Sequence, residues 1–235
     1  MATGWQGEGG QDQGGRPYQE DSWALRTLPD GTLLAVLADG MGGHAGGAVA
    51  SKLVIDAFLK AVERGRSLAE ALQEANAAVR EGAAGKAELN GMGATLVGAL
   101  VKDDEVRWIS VGDSPFYLMT KGKLERLNED HSLAPQIDAM LERGMITAEE
   151  AANHPGRHTL REAVMGEPLT LIDEGKRELG ASATLLLCSD GVESLAHDKI
   201  AAAAGQSVRR LLEMVLAVGK PHQDNVTIIK MDRQT

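Results

Sequence analysis

Three aspartates each follow directly after an apolar run that predicts a buried strand. They are Asp39 after residues 33–38, Asp113 after residues 108–112 and Asp190 after residues 185–189. An ionised carboxylate at the edge of a hydrophobic core is costly unless it is paired or bound to a cation, and the basic residues nearby in sequence are too few to pair all three. The repeated pattern therefore predicts that these carboxylates bind metal.

Two further acidic sites stand where strands are expected to begin. Asp224 precedes the final apolar run, 226–229, and Glu20 with Asp21 precedes the first candidate strand. Carboxylates gathered from distant strand ends, without a Cys or His cluster, favour hard divalent ions such as Mg²⁺ or Mn²⁺ over structural zinc. The chemistry to expect is metal-assisted hydrolysis.

The composition predicts one domain with a substantial core and argues against nucleic-acid binding. The chain has 235 residues, 43% of them hydrophobic, and no long low-complexity block. Its net charge is -10 and Lys and Arg form no basic run, so it lacks the positive footprint that a phosphate backbone requires. We expect residues 1–235 to form a single domain.

The single Cys188 cannot form an internal disulfide, and residues 1–11 lack the basic stretch and apolar core of a signal peptide. No run approaches the roughly 18 apolar residues that predict a membrane span. We therefore expect a soluble protein in a reducing, cytoplasmic setting, with no membrane partner.

Hydrophobic periodicity predicts sheets covered by helices. After a glycine-rich start that is expected to be mobile, strands 22–25 and 32–38 should form a hairpin around the turn at 29–31. Two helices should follow and cover one sheet, and the second should begin at Ser67, which has capping-box spacing to Glu70.

In the second half of the chain, four short strands between residues 94 and 127 predict an antiparallel meander. Residues 132–158 change character, carry two short helical patterns and are expected to form an inserted flap. The elements expected after the flap are a strand at 169–172, a strand leading into Asp190, helices at 194–204 and 207–218, and the closing strand.

Two motifs that suggest other chemistry are rejected. Residues 40–45 match a dinucleotide-binding fingerprint loosely, but Asp39 would point a carboxylate toward the anion. Cys188 lacks the Arg-bearing phosphate loop of a thiolate phosphatase, and the acidic stretch 189–194 would raise the thiol pKa. We predict that Cys188 is an inert core thiol.

Seven short motifs, taken in their order along the chain, resemble one protein family. They are Arg16-Pro17-Tyr18-Gln19-Glu20-Asp21, Asp39-Gly40-Met41-Gly42-Gly43, Gly91-Met92-Gly93-Ala94-Thr95, Val111-Gly112-Asp113-Ser114, Asp130-His131-Ser132, Cys188-Ser189-Asp190-Gly191 and Asp224-Asn225-Val226-Thr227. They resemble the metal-dependent protein phosphatases of the PP2C type, and the Asp-Gly-Met-Gly-Gly form and compact length are similar to its bacterial members.

The resemblance implies an α+β fold, a four-layer α/β/β/α sandwich of two mainly antiparallel sheets flanked by helices. It also implies a centre of two Mn²⁺ or Mg²⁺ ions, with a possible third, in the cleft between the sheets. By the same resemblance, Asp39 would bridge the ions, the Gly40 carbonyl would join their ligands, Asp190 and Asp224 would hold one ion, and Glu20 would act on the other, partly through water.

Other site residues follow from the resemblance with an alternative beside each. Asp21 belongs to the metal site but is expected behind the ligands, since adjacent strand residues face opposite ways. Asp113 matches the position that supports a third ion in bacterial relatives, and capping of its own turn is an equal alternative. His44 resembles a proposed general acid for the leaving oxygen, although a lone His is more often structural. His131 and His158 border the flap and are left unassigned.

The reaction implied is hydrolysis of phosphoserine and phosphothreonine in proteins, without a phosphoenzyme. Two cations sharing a water molecule lower its pKa and orient it for in-line attack on phosphorus. Arg16 fits as the guanidinium that binds two phosphate oxygens, where the alternative is an ordinary surface Arg.

The expected partners are phosphoserine and phosphothreonine proteins, including a bacterial Ser/Thr kinase or its substrates, and the protein is expected to be a monomer. One rival hypothesis is a catalytically silent relative that binds phosphoproteins, which would be expected to have lost Asp39, Asp190 or Asp224. A closer rival is a hydrolase of the same fold that acts on a small phosphoester or on phosphotyrosine.

Overall fold

The structure is a computed structural model that describes residues 4–42 and 45–233. Its strands are β1 (Trp5–Asp12), β2 (Ser22–Thr27), β3 (Leu33–Ala38), β4 (Gly40–Met41), β5 (Gly93–Ala94), β6 (Leu96–Lys102), β7 (Glu105–Val111), β8 (Phe116–Thr120), β9 (Lys123–Arg126), β10 (Asp173–Glu178), β11 (Thr184–Cys188) and β12 (Val226–Arg233). Its helices are α1 (Ala45–Glu63), α2 (Leu68–Ala83), α3 (Ala134–Glu142), α4 (Ala148–Ala152), α5 (His197–Ala203) and α6 (Val208–Leu216).

Two antiparallel sheets form the centre of the fold. One has the strand order β10-β7-β6-β3-β2, the other has the order β1-β12-β11-β8-β9, and β4 pairs with β5 in a two-stranded ribbon. Apolar side chains from both sheets meet between them, as Leu37 and Trp108 do with Phe116 and Leu187. This shared core is the reason that the sheets stack face to face.

Helices cover the outer face of each sheet. Helices α1 and α2 pack on the first sheet through residues such as Phe58 and Leu72. Helices α5 and α6 pack on the second sheet through residues such as Ile200 and Leu211. The order of layers is therefore α/β/β/α, as the resemblance implied.

The predicted hairpin and helix start are both present. Strand β2 pairs with β3, with Ser22 opposite Ala38, and Gly31 provides the positive φ of 83° that the turn needs. Helix α2 begins at a complete capping box in which the Ser67 side chain accepts from the backbone N–H of Glu70, while the Glu70 side chain accepts from that of Ser67. The hairpin register brings Asp21 and Asp39 to the same end of the sheet.

The prediction of a mobile glycine-rich start was wrong, because residues 5–12 form β1 and pair with β12 along their whole length. The glycines serve close packing here. A Cβ atom on Gly7 would overlap the Leu25 side chain, and one on Gly9 would overlap the Trp23 ring. Glycine therefore lets the edge of one sheet approach the edge of the other. Judged by composition alone, the same glycines suggest a disordered segment.

Two further predictions about strands were wrong. The meander does not stay in one sheet, because the β6–β7 hairpin lies in the first sheet and the β8–β9 hairpin in the second. The chain crosses between the sheets at Gly112, whose φ is 100°. The strand expected at 169–172 lies instead at Asp173–Glu178, whose charged sequence suits the edge of a sheet and hides the strand from a hydrophobicity pattern.

The predicted insertion contains the two expected helices, α3 and α4, and α4 has its own capping box between Thr147 and Glu150. Arg157 fixes the end of this segment to α3 by two hydrogen bonds, of 2.7 and 3.1 Å, to the Asp138 carboxylate. That the segment opens and closes as a flap stays a prediction. Within 4–42 and 45–233, no helix has the length and apolar character that crossing a membrane would demand.

The packing of β1 predicts a specific loss of stability. Gly9→Ala should lower the free energy of unfolding by about 1–3 kcal/mol, because the added methyl group overlaps the Trp23 ring. Gly180→Ala is the matched control, since nothing described lies within 4 Å of its Cβ position. Urea unfolding of both variants measures the difference in their free energies of unfolding. Equal midpoints would contradict the close packing of Gly9 against the Trp23 ring.

Candidate metal centre

A cleft of about 510 Å³ opens at one end of the two sheets. It is lined by Arg16, Glu20, Asp39, Gly40, Met41, Gly42, Thr95, Asp113, His158, Leu160, Asp190, Asp224 and Asn225. Seven of the predicted site residues therefore come together here, although they are spread over most of the chain. Asp21 does not line the cleft, and His44 lies outside the described residues.

Asp39 is placed by its backbone at the point where β3 ends. Its N–H donates to Thr95 Oγ1 at 3.0 Å, and its carbonyl accepts from the Thr95 N–H at 2.8 Å. Thr95 Oγ1 in turn lies 2.7 Å from Ser114 Oγ, beside Asp113. The backbone of Asp39 is thus fixed to Thr95, between β5 and β6, and through Thr95 to the loop that carries a second acid.

Glycine at position 40 allows Glu20 to approach the cleft. The Gly40 N–H donates to the Glu20 carbonyl at 3.2 Å, and a Cβ atom on Gly40 would overlap the carbonyls of Glu20 and Gly47. A Cβ atom on Gly47 would overlap the Glu20 carboxylate itself. These two positions tolerate no side chain, because the backbone must pass within contact distance of the acid.

Asp190 and Asp224 reach the cleft from adjacent strands of the second sheet. Asp190 follows β11 and begins a short 3-10 helix, Asp190–Ser194, while Asp224 precedes β12. A Cβ atom on Gly191 would overlap the Asn225 carbonyl, so the two turns are in direct contact. Glycine after Asp190 is therefore what lets these two acids sit side by side.

Arg16 is the cation at the mouth of the cleft. Its Nη2 donates to Asp224 Oδ2 at 2.6 Å, and this hydrogen bond raises the pKa of Arg16 above its usual value. Both side chains remain substantially exposed, at 49% and 40%, so the pair contributes little to stability. The guanidinium is accessible to an anion that enters the cleft.

Asp21 lies behind the cleft rather than in it. It is 4% exposed, and its Oδ2 accepts hydrogen bonds from Ser189 Oγ at 2.8 Å and from Thr227 Oγ1 at 2.7 Å. Burial raises the pKa of Asp21 to about 6. Asp21 is therefore placed to support the neighbouring acids from behind.

The acids of the cleft oppose one another electrostatically. Burial raises the pKa values of Asp39 and Asp190 well above their ordinary range, and repulsion from neighbouring carboxylates raises them further. Burial and repulsion from Asp130 raise the pKa of Asp113 to about 6, against the opposing effect of Arg126. The cleft therefore carries negative charge that its own cations do not balance.

The donor set fits a hard divalent ion, because it consists of carboxylate and carbonyl oxygens around uncompensated negative charge. Within residues 4–42 and 45–233, however, no three His, Cys, Asp or Glu side chains are arranged so that they could hold an ion as they stand. The fit thus rests on the chemistry and charge of the lining residues, and ion binding requires these side chains to adjust.

The sequence predicts no role for six of the residues that line the cleft, which are Met41, Gly42, Thr95, His158, Leu160 and Asn225. His158 is exposed at the rim of the cleft, and no local sequence signal distinguishes it from His154 or His131. Asn225 belongs to the motif Asp224-Asn225-Val226-Thr227, which predicts no separate role for it. Its contacts lie about 200 residues away in sequence, so only the fold reveals them.

A family model for protein phosphatase 2C matches residues 12–227. The chain belongs to the protein phosphatase 2C family. This assignment confirms the predicted resemblance and, with it, the predicted enzyme class of protein phosphatase. The matched range includes every residue that lines the cleft.

Relatives of this chain include bacterial serine/threonine phosphatases. The serine/threonine phosphatase stp of Listeria monocytogenes is 33% identical over 233 residues, which cover 93% of this chain and 91% of the relative. The serine/threonine protein phosphatase PstP of Mycobacterium tuberculosis is 36% identical over 218 residues, which cover 86% of this chain but 40% of the relative.

Solved structures of the family have the same fold. A crystal structure of Mycobacterium tuberculosis PstP/Ppp has a TM-score of 0.83 at 30% identity and covers 98% of this chain and 99% of its own. A second structure of the PstP catalytic domain, in complex with two manganese ions, has a TM-score of 0.82 at 30% identity, with the same coverage. Staphylococcus aureus Stp1 has a TM-score of 0.85 at 28% identity and covers 100% and 98% of the two chains.

The electrostatics of the cleft predict a pH dependence of stability. Acids whose pKa is raised in the folded state keep their protons above about pH 4, where the unfolded chain loses them, so the native state binds more protons. In EDTA, the free energy of unfolding contributed by these groups should therefore fall as the pH rises from about 4 through 6 and beyond.

Asp190→Asn removes one of the repelling charges and isolates this effect. In EDTA, the variant should gain stability relative to the unsubstituted protein between about pH 5 and pH 8, and the rise in Tm that Mn²⁺ produces should shrink. Differential scanning fluorimetry at both pH values measures this. A relative stability that does not change with pH would contradict the assigned repulsion.

Proposed function

We propose that this chain hydrolyses phosphoserine and phosphothreonine in proteins, with two Mn²⁺ or Mg²⁺ ions held in the cleft. The observation that carries the proposal is the convergence of five separate acidic segments on one cleft that has an exposed Arg at its mouth. Such a cleft attracts cations by its charge, and cations would in turn draw in the phosphate group.

Each acid is assigned a role from its place around the cleft. Asp39 lines the cleft at the end of β3 and is proposed to bridge the ions, with the adjacent Gly40 carbonyl completing that side. Asp190 and Asp224, from the second sheet, would hold one ion, and Glu20 would act on the other. Asp113 is the proposed support of a third ion. When bound, the ions supply an activated water molecule and neutralise charge on the phosphate.

Arg16 is proposed to bind and orient the phosphate group. A guanidinium offers parallel N–H donors that match two phosphate oxygens, and Arg16 is exposed enough to turn from Asp224 toward a substrate. In doing so it would also offset the charge that develops during transfer to water. The general-acid role of His44 stays a prediction.

The proposal extends to the biological setting of the enzyme. We infer a cytoplasmic, monomeric enzyme that opposes a bacterial Ser/Thr kinase, acting on that kinase or on its substrates. We also propose that residues 1–235 act as one domain and that residues 132–158 move as a flap beside the cleft, since His158 reaches the rim from this segment.

The silent binding module is the less favoured function, because Asp39, Asp190 and Asp224 are all retained and all line the cleft. A binding module needs no such convergence of repelling carboxylates. A hydrolase of small phosphoesters or phosphotyrosine would use the same residues. A test of activity must therefore include a small phosphoester and a phosphotyrosine substrate.

The first test is phosphate release from a phosphothreonine peptide, with a phosphotyrosine peptide and an aryl phosphate in parallel. Release should require Mn²⁺ or Mg²⁺ and stop in EDTA. Asp190→Ala and Asp39→Ala should lower kcat/KM by more than about 100-fold, the size of loss that even indirect supports of a metal site produce. Asp198→Ala, an exposed acid in α5, is the matched control.

Arg16→Ala should act mainly on phosphate binding. Loss of a hydrogen bond to a charged group, about 1.5–3 kcal/mol, corresponds to a rise in KM of roughly tenfold to a hundredfold. Arg209→Ala, at a side chain that is 90% exposed on α6, should leave KM unchanged. Wild-type KM in Arg16→Ala, or no release from any substrate by folded protein, would contradict the proposed function.

A further inference from the structure

Asn225 is a buried side chain whose amide group is fully used by one segment of the chain. It is 4% exposed, and its Oδ1 accepts from the Glu20 N–H at 2.8 Å. Its Nδ2 donates to the Gln13 carbonyl at 2.9 Å and to the Tyr18 carbonyl at 3.0 Å. All three partners belong to the segment that carries Arg16, and they lie on both sides of it.

The tip of this segment, residues 14–18, is also held by the Gly15 N–H and by the ion pair of Arg16 with Asp224. Residues 13–21 contain no helix or strand, and residues 15–18 are exposed. The backbone of Gly15 donates to the Gln223 carbonyl at 2.8 Å, and the Gln19 side chain bonds to the backbone of Asp12 and Asp21. An exposed loop with two glycines gains conformational entropy when released, so the Asn225 hydrogen bonds, which act on both sides of Arg16, help to fix where the loop lies.

Asn225 is itself fixed to the metal side of the cleft. Its backbone N–H donates to Asp224 Oδ1 at 2.9 Å, and its carbonyl lies against Gly191, next to Asp190. Strand β12 begins with the next residue. One side chain therefore links the Arg16 loop, Glu20 and the turn that carries Asp224.

We propose that Asn225 is a positioning residue of the phosphatase reaction: it sets the distance between the phosphate-binding Arg16 and the carboxylates of the cleft, and it places Glu20 at the same time. The proposal rests on the proposed function, because it assigns Arg16 to the phosphate. Asn225 does not contact the reacting atoms in this role. It acts through the backbone of residues 13–20.

Two substitutions separate the parts of this role. Asn225→Asp keeps the oxygen that accepts from the Glu20 N–H but replaces the amide donor, so the Gln13 and Tyr18 carbonyls lose their partner. Asn225→Ala removes all three hydrogen bonds. Asn225→Asp should therefore free the Arg16 loop while keeping Glu20 tied, and Asn225→Ala should free both.

Asn76 is a matched control in the same protein. It is 5% exposed, its Nδ2 donates to the Glu167 carbonyl at 2.7 Å and its Oδ1 accepts from the Gly166 N–H at 2.8 Å. It thus ties a loop to α2 in the way that Asn225 ties the Arg16 loop to β12, but it does not line the cleft. Asn76→Ala should lower Tm without a selective effect on phosphate binding.

The experiment combines steady-state kinetics on the phosphothreonine peptide, inhibition by inorganic phosphate and amide hydrogen exchange. In Asn225→Asp, KM and the inhibition constant for phosphate should each rise about tenfold, the effect of losing roughly one hydrogen bond, with a smaller change in kcat. Asn225→Ala should lower kcat as well. In both variants, exchange of the amides in residues 13–19 should be faster by about tenfold or more, whereas the Glu20 amide should exchange faster in Asn225→Ala but not in Asn225→Asp.

The outcomes distinguish this proposal from the proposed function. Absence of phosphate release by the unsubstituted protein would overturn the proposed function, while the exchange comparison would still decide whether Asn225 holds the loop. Unchanged exchange in residues 13–19, or faster exchange with an unchanged KM, would overturn the positioning role. An equal rise in KM for Asn76→Ala would overturn it too, because the effect would then follow from loss of stability alone.

Discussion

Repulsion between carboxylates that have been partly removed from water is the constraint on which the rest of this structure depends. Asp39 and Asp190 are held near one another although burial and mutual repulsion disfavour their charged forms. On flexible loops, the two carboxylates would move apart and so reduce this repulsion. The fold prevents this by attaching each acid through backbone hydrogen bonds or strand ends to the buried sandwich, as Thr95 does for Asp39. A divalent cation is the natural counter-charge for the arrangement.

The registers of the two sheets explain why distant acids meet. In the first sheet, Ser22 lies opposite Ala38, so the residues just beyond, Asp21 and Asp39, share one end. In the second sheet, Cys188 lies opposite Ile228, which brings the turns after β11 and before β12 together. Because the sheets share an apolar core, these two ends form opposite walls of one cleft. Hydrophobic packing thus determines the spacing of the charged groups.

Much of the fold and most of the cleft could be predicted because acids at strand ends and capping boxes are local signals. Strand β1 was missed because its glycines serve an approach to Trp23 that only the packed structure contains. Strand β10 was missed because edge strands are charged, and the crossing at Gly112 was missed because alternation of hydrophobic residues does not report which sheet a strand joins. The link from Asn225 to Glu20 spans 205 residues and leaves no local trace.

The most direct test of this account is the position of bound manganese in a crystal of the protein, found by anomalous scattering. The account predicts two peaks within the cleft, with the Asp39 carboxylate between them and Asp190 and Asp224 at about 2.0–2.2 Å from one of the ions, the distances typical of carboxylate oxygens on small divalent metals. A cleft without a peak at saturating Mn²⁺, or ions held elsewhere by other residues, would contradict it.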